Sequence, residues 1–112
     1  MSEITWDDFQ KVELRVGTII EASDFPAARK PAYILQVDFG DELGVKKSSA
    51  QITALYSKED LIGKQVIAVV NFPPKQIGPI QSECLVTGFY NSEGQVVLAV
   101  PDQNLQNGAR LA

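Results

Sequence analysis

Few side chains in this sequence could act on a substrate. Two adjacent acid pairs, Asp7-Asp8 and Glu59-Asp60, have the composition of a general acid and base working together. Each pair, however, follows a hydroxyl residue at capping-box spacing, Thr5 to Asp8 and Ser57 to Asp60, so helix capping and dipole complementarity already account for them. Histidine is absent, which removes the usual base near neutral pH, the usual metal ligand and every imidazole-dependent triad. Cys84 is the single cysteine; it excludes an internal disulfide and a thiolate metal cluster, and its ordinary role is that of a small buried hydrophobe. Gly40 and Gly44 are not followed by the Gly-Lys-Ser/Thr ending of a phosphate loop. These residues predict a binding protein with no catalytic group, no metal site and no cofactor.

Charge narrows the kind of binding. The formal net charge of −4 argues against non-specific adhesion to polyanions, which runs on summed phosphate neutralisation. The cations are unevenly placed. Between Arg29 and Lys75 seven cations meet five acids, a net +2, whereas the remaining three cations face nine acids, a net −6. The alternatives are an ordinary solvated surface or a basic rim around a groove. Phe25, Pro26, Phe72, Pro73, Pro74, Ile77 and Ile80 crowd the same connections. Pro73 and Pro74 have no amide to give a partner strand, so part of this apolar cluster should reach the surface; the competing reading for Phe25 and Phe72 is plain core.

At 112 residues, 45% apolar and 21% charged, the chain fits one domain with one core. A short helix is expected over about 5–11. The barrel follows over about 14–90, and a C-terminal strand and tail over about 95–112. Leu14 to Asp24 alternates with a period near two and reads as a strand, with a bulge or bend at Gly17. Residues 25–31 form a proline-bounded connection. Tyr33 to Phe39 and Val45 to Ile52 form a hairpin around Gly40 and Gly44, and a helical turn after Ser57 is stopped by Gly63. Gln65 to Val70 is apolar enough to be the most buried strand. Cys84 to Phe89 and Val96 to Val100 add two more, while Arg29, Lys30 and Lys75 are expected in loops. Short strands with turn signals, and one helix between the third and fourth, predict an all-β, five-stranded Greek-key barrel of the oligonucleotide/oligosaccharide-binding (OB) type. The amino terminus opens on Ser2, Glu3, Asp7 and Asp8, and no stretch approaches the roughly 18 apolar residues of a membrane span. A cytoplasmic protein without membrane insertion is expected.

Six segments carry a family resemblance: Asp8-Phe9, Leu14-Arg15-Val16-Gly17-Thr18-Ile19, Val37-Asp38-Phe39-Gly40, Leu61-Ile62-Gly63-Lys64, Val69-Val70-Asn71-Phe72-Pro73-Pro74 and Ser82-Glu83-Cys84-Leu85. In this order the chain resembles the tRNA-binding domain family, OB modules appended to some aminoacyl-tRNA synthetases and also found free-standing. Phe25 to Arg29, Ser48 to Thr53 and Asn71 to Pro74 are most similar to its CsaA group, described as export-related chaperones. The resemblance implies an OB barrel and a homodimer built from both ends of the chain. Trp6 and Phe9, three apart on the first helix, would form an apolar edge for that dimer, or else lie over the monomer's own barrel mouth. Unfolded or pre-secretory polypeptides are the expected partners, bound at Phe25, Phe72, Pro73, Pro74 and Ile77. The alternative is tRNA, bound through Arg29, Lys30, Lys47, Lys64, Asn71, Lys75 and Ser82. Members that bind tRNA carry a basic run where this chain has Pro73 to Gly78 and keeps only Lys75, so RNA affinity should be weak.

Overall fold

The computed structural model describes all residues, 1–112. The N-terminal helix α1 spans Trp6–Gln10, and its reciprocal capping box is formed: Asp8 N–H donates to Thr5 Oγ1, and Thr5 N–H donates to the Asp8 carboxylate, both at 3.1 Å. The strands β1 (Leu14–Asp24), β2 (Tyr33–Asp38) and β3 (Val45–Ala50) come next, followed by the one-turn helix α2 (Lys58–Leu61) and β4 (Gln65–Val69). Two short strands, β5 (Lys75–Ile77) and β6 (Ile80–Ser82), lead into β7 (Leu85–Val86), β8 (Gly88–Tyr90) and β9 (Val96–Leu98). The main sheet is antiparallel in the order β3-β2-β1-β4-β7, curled into a nearly closed OB-type barrel with α2 between its third and fourth strands.

β1 serves two partners, because it pairs with β4 over Leu14 to Thr18 and with β2 over Thr18 to Asp24. The bulge that lets it turn this corner lies at Ile20, between the pairs Ile19↔Val37 and Glu21↔Gln36, rather than at Gly17. The extra residue shifts the inward phase of the strand, so Ile19 is fully buried and Ile20 is exposed. Gly17 has a different role. A Cβ there would lie 2.6 Å from Val37 Cγ1 and 2.7 Å from Phe39 Cδ1, so the missing side chain is what lets the fully buried Phe39 ring pack onto the strand.

Ile19, Leu35, Val37, Phe39, Leu61 and Val66 form the centre of the core. In β4, Val66 and Ala68 are fully buried, but Ile67 on the other face is only half covered. Arg15 is buried beneath the carboxyl-terminal segment; its guanidinium donates to Glu13 at 3.0 Å, Glu42 at 3.1 Å and the Gly108 carbonyl at 3.1 Å. Burial opposes its charge, yet the bonds to Glu42 and Glu13 outweigh that and raise its pKa. Asp38 accepts from the Gly40 amide at 2.9 Å, a local turn role.

The expected single strand from Cys84 to Phe89 is broken at Thr87, whose amide and hydroxyl both bond the Ile67 carbonyl. The β5–β6 hairpin, turning at Gly78 (φ +54°) and Pro79, was not legible, and it places Lys75 on a strand rather than in a loop. No helix is long and apolar enough to cross a membrane.

Candidate polymer-binding surface

The barrel closes where β3 meets residues 82–84. Glu83 N–H donates to the Lys47 carbonyl at 2.8 Å, while Lys47 N–H donates to the Glu83 carboxylate at 3.0 Å. Ser49 N–H donates to Ser82 Oγ at 3.2 Å. Beside this seam the chain leaves a cavity of about 440 Å³, walled by Phe72, Pro73, Ile77 and Leu85, with Cys84 buried at its side and Lys75, Ser49 and Ser82 supplying polar groups. Phe72 is 56% exposed, so its ring faces solvent when no partner is present. The prolines explain why: a Phe-Pro-Pro segment cannot extend β4, and it swings the chain off the barrel wall before β5 begins.

Five of the expected site residues converge here: Phe72, Pro73, Lys75, Ile77 and Ser82. Pro74 is exposed but outside the lining. Phe25 is corrected to core at 5% exposure, its ring 3.8 Å from where a Cβ of Gly78 would lie, so it props the β5–β6 turn from below. Asn71 is a structural clamp. Its Oδ1 accepts from Glu13 N–H at 3.0 Å and its Nδ2 donates to the Lys11 carbonyl at 2.6 Å, tying the end of α1 to the end of β4. Lys64 lies 5.9 Å from the Tyr56 ring centroid and lines neither this cavity nor its neighbour. Lys30 lines the neighbouring cavity, Arg29 is exposed on the same connection, and Lys47 is exposed on the outward face of β3 that also bears Ser49. Ser49, Cys84 and Leu85 were not foreseen as walls; the alternation of β3 already put Ser49 on the face of Lys47, and that was the available signal.

At the opposite end of β1, α1 buries none of its residues. Trp6 is 66% exposed and stacks at a tilt on Phe9, centroids 5.7 Å apart. With Val12 and Leu111 they line a groove of about 250 Å³, so residues from both chain ends share one surface. Phe89 and Tyr90 on β8 are also exposed, with no periodic pattern in the sequence to signal it.

A curled five-stranded sheet with its interstrand helix, and with apolar and cationic groups gathered on its connections, defines an OB-type binding module. The chain belongs to the tRNA binding domain family, whose profile matches residues 14–110. It is 49% identical to chaperone CsaA from Bacillus anthracis, with a TM-score of 0.93 over 99% of this chain and 100% of that one. The CsaA chaperone protein from Picrophilus torridus is 53% identical, with a TM-score of 0.93 over 98% of this chain and 100% of that one. Among curated sequences, the methionine–tRNA ligase of Thermococcus kodakarensis is 35% identical over 99% of this chain, which spans 14% of that enzyme's length.

The wall residue Cys84 supplies a check on the cavity. Burial pushes its thiol up to about 11, against the opposing pull of Lys46 and Ser48. A thiol with a raised pKa stays neutral in the native state while the unfolded one ionises, so stability falls as pH rises from about 9 toward about 11. At pH 8 alkylation of the native protein should run about a hundredfold slower than that of a free thiol, because the thiolate is that much scarcer. Mass spectrometry of timed quenches reads this rate, and a native rate equal to that in urea would contradict the buried placement.

Proposed function

We propose that this chain is a non-catalytic, CsaA-like chaperone that assists protein export from the cytoplasm, holding unfolded or pre-secretory polypeptides as a homodimer. The observation that carries the reading is the open cavity around Phe72, Pro73 and Ile77. It offers preformed apolar surface for reversible capture of apolar side chains, each worth about 1.5–3 kcal/mol when fully buried. The likeness to the two CsaA structures over whole chains supports it. With purified protein and a reduced, denatured client, light scatter should fall as the protein is added, and Phe72→Ser should weaken that suppression several-fold with the fold retained. Undiminished scatter at stoichiometric excess would exclude the reading.

The homodimer rests on the groove between α1 and the carboxyl end, with Trp6 and Phe9 at its centre. Sedimentation should give a two-chain mass for the native protein and a one-chain mass for Trp6→Glu. A one-chain mass for the native protein would remove the dimer.

A second reading, tRNA binding, is favoured by family membership and by Lys30, Lys47 and Lys75, none of which is paired with a carboxylate. Such binding would be weak and steeply salt-dependent. In tRNA titrations at two salt concentrations, Lys75→Glu should lower affinity and flatten the salt slope by about two phosphate contacts, one lost and one opposed. Affinity indifferent to salt would exclude the electrostatic mode.

A further inference from the structure

The carboxyl-terminal segment lies along the start of β1 as a strap. Val16 N–H donates to the Ala109 carbonyl at 3.0 Å, Gly108 N–H to the Val16 carbonyl at 2.7 Å, and Leu111 N–H to the Leu14 carbonyl at 3.2 Å. Side chains add clamps: Gln65 bonds the carbonyl and the amide of Leu105 at 2.7 and 2.9 Å, and Arg15 donates to the Gly108 carbonyl at 3.1 Å. The strap turns between Gln106 and Ala109, where the Ala109 amide donates to the Gln106 carbonyl at 3.1 Å. Gly108, third in that turn, has φ +91°, the value that a type II turn reserves for glycine. A Cβ on Gly108 would lie 2.6 Å from the Phe39 carbonyl oxygen, and one on Gly40 would lie 2.8 Å from the Asn107 carbonyl oxygen. The 39–40 and 107–108 peptides therefore cross with no spare room, and the crossing requires glycine at 108.

That requirement creates a chemically labile pair, since Asn107 is the one asparagine in the chain followed by glycine. With no Cβ to hinder it, the Gly108 nitrogen can lose its proton to hydroxide and form a bond to Asn107 Cγ. Nδ2 takes a proton from water and leaves as ammonia, and a five-membered imide remains. Water reopens the ring: breaking the bond from nitrogen to Cγ gives aspartate, and breaking the bond from nitrogen to the former main-chain carbonyl gives isoaspartate. The isoaspartate backbone runs through Cβ and Cγ and is longer by one carbon. In the docked strap both reacting groups are held. The Gly108 N–H is engaged by Val16, while Asn107 Oδ1 accepts from Thr18 Oγ1 at 2.6 Å and from Gln65 Nε2 at 3.5 Å.

We propose that Asn107–Gly108 is a spontaneous modification site gated by the strap: it deamidates only when the strap lifts from β1, and the isoaspartate so formed keeps the strap from docking again. Such lifting is a local opening, which needs less free energy than unfolding the barrel. After isoaspartate forms, a longer backbone and a new carboxylate must fit where the Asn107 carbonyl now packs on Gly40, and there is no room for them. Arg110 and Leu111, which the strap carries into the groove beside Trp6, leave with it. The consequent loss of a dimer face rests on the homodimer reading above.

The test incubates the whole protein at mildly alkaline pH, native and in urea, and follows the gain of one mass unit at Asn107 by mass spectrometry of digests. The native rate should be at least about tenfold below the rate in urea. Gln65→Ala, which frees Leu105, should raise the native rate several-fold and leave the urea rate unchanged. Equal rates in the two solvents, or a native rate untouched by Gln65→Ala, would overturn the gating. The isoaspartate form, separated by ion exchange, is then compared with Asn107→Asp, which carries the charge on an unlengthened backbone. Brief trypsin treatment should cut the Arg110–Leu111 bond several-fold faster in the isoaspartate form than in Asn107→Asp or the parent. Equal cutting of all three would overturn release of the strap, and an isoaspartate protein without a cooperative thermal transition would overturn its confinement to the strap. Sedimentation should give a two-chain mass for Asn107→Asp and a one-chain mass for the isoaspartate form. A one-chain mass for the parent would sink the dimer reading alone, because trypsin reads the strap without it.

Discussion

The surface this molecule presents depends on how a short curled sheet closes on itself. Strands β3 and β7 have no turn between them and almost no length in common, so closure falls to the Lys47–Glu83 and Ser49–Ser82 bonds. A side-chain carboxylate and a hydroxyl stand in for the carbonyls a full strand would offer. That substitution satisfies the edge at Lys47 and Ser49 without a regular strand ladder.

The apolar cluster next to the seam follows from chain geometry. Phe72 cannot return to the core because Pro73 and Pro74 force an extended, amide-free exit from β4. The short β5–β6 hairpin that follows leaves the ring 56% exposed, and Phe25 supports its turn from inside. The same logic applies at the other pole. Asn71 clamps the end of α1 to β4 and the carboxyl-terminal residues run along the start of β1, so Trp6, Phe9 and Leu111 are held together by backbone bonds rather than by a core beneath them.

What the sequence disclosed was whatever is encoded over a few neighbouring residues. Both capping boxes, the Gly40–Gly44 turn and the apolar run of β4 depend on local chemistry, and together with the helix between strands three and four they sufficed for the OB barrel. The bulge escaped to Ile20 because alternation fixes a period but not the point where its phase slips; Gly17 drew attention for its lack of a side chain, and that lack served the Phe39 ring. The β5–β6 hairpin escaped because three-residue strands carry no period. In the candidate site, Phe72 and Ile77 were legible from their company of prolines. Phe25 and Asn71 were not: whether an aromatic in a loop turns inward, or an amide clamps a distant helix, depends on partners about 50 to 60 residues away in the chain.

An overall charge of −4 would repel nucleic acid and attract basic chains if charge were smeared evenly. It is not smeared: of the fourteen acids, six are fixed at local tasks, where Asp8 and Asp60 cap helices, Glu13 and Glu42 hold Arg15, Asp24 holds Lys58, and Glu83 closes the barrel. Lys30, Lys47 and Lys75 are left without a carboxylate partner. A ligand at close range meets Lys30 and Lys75 rather than the average, and screening over roughly 8 Å at physiological salt makes close range the distance that matters.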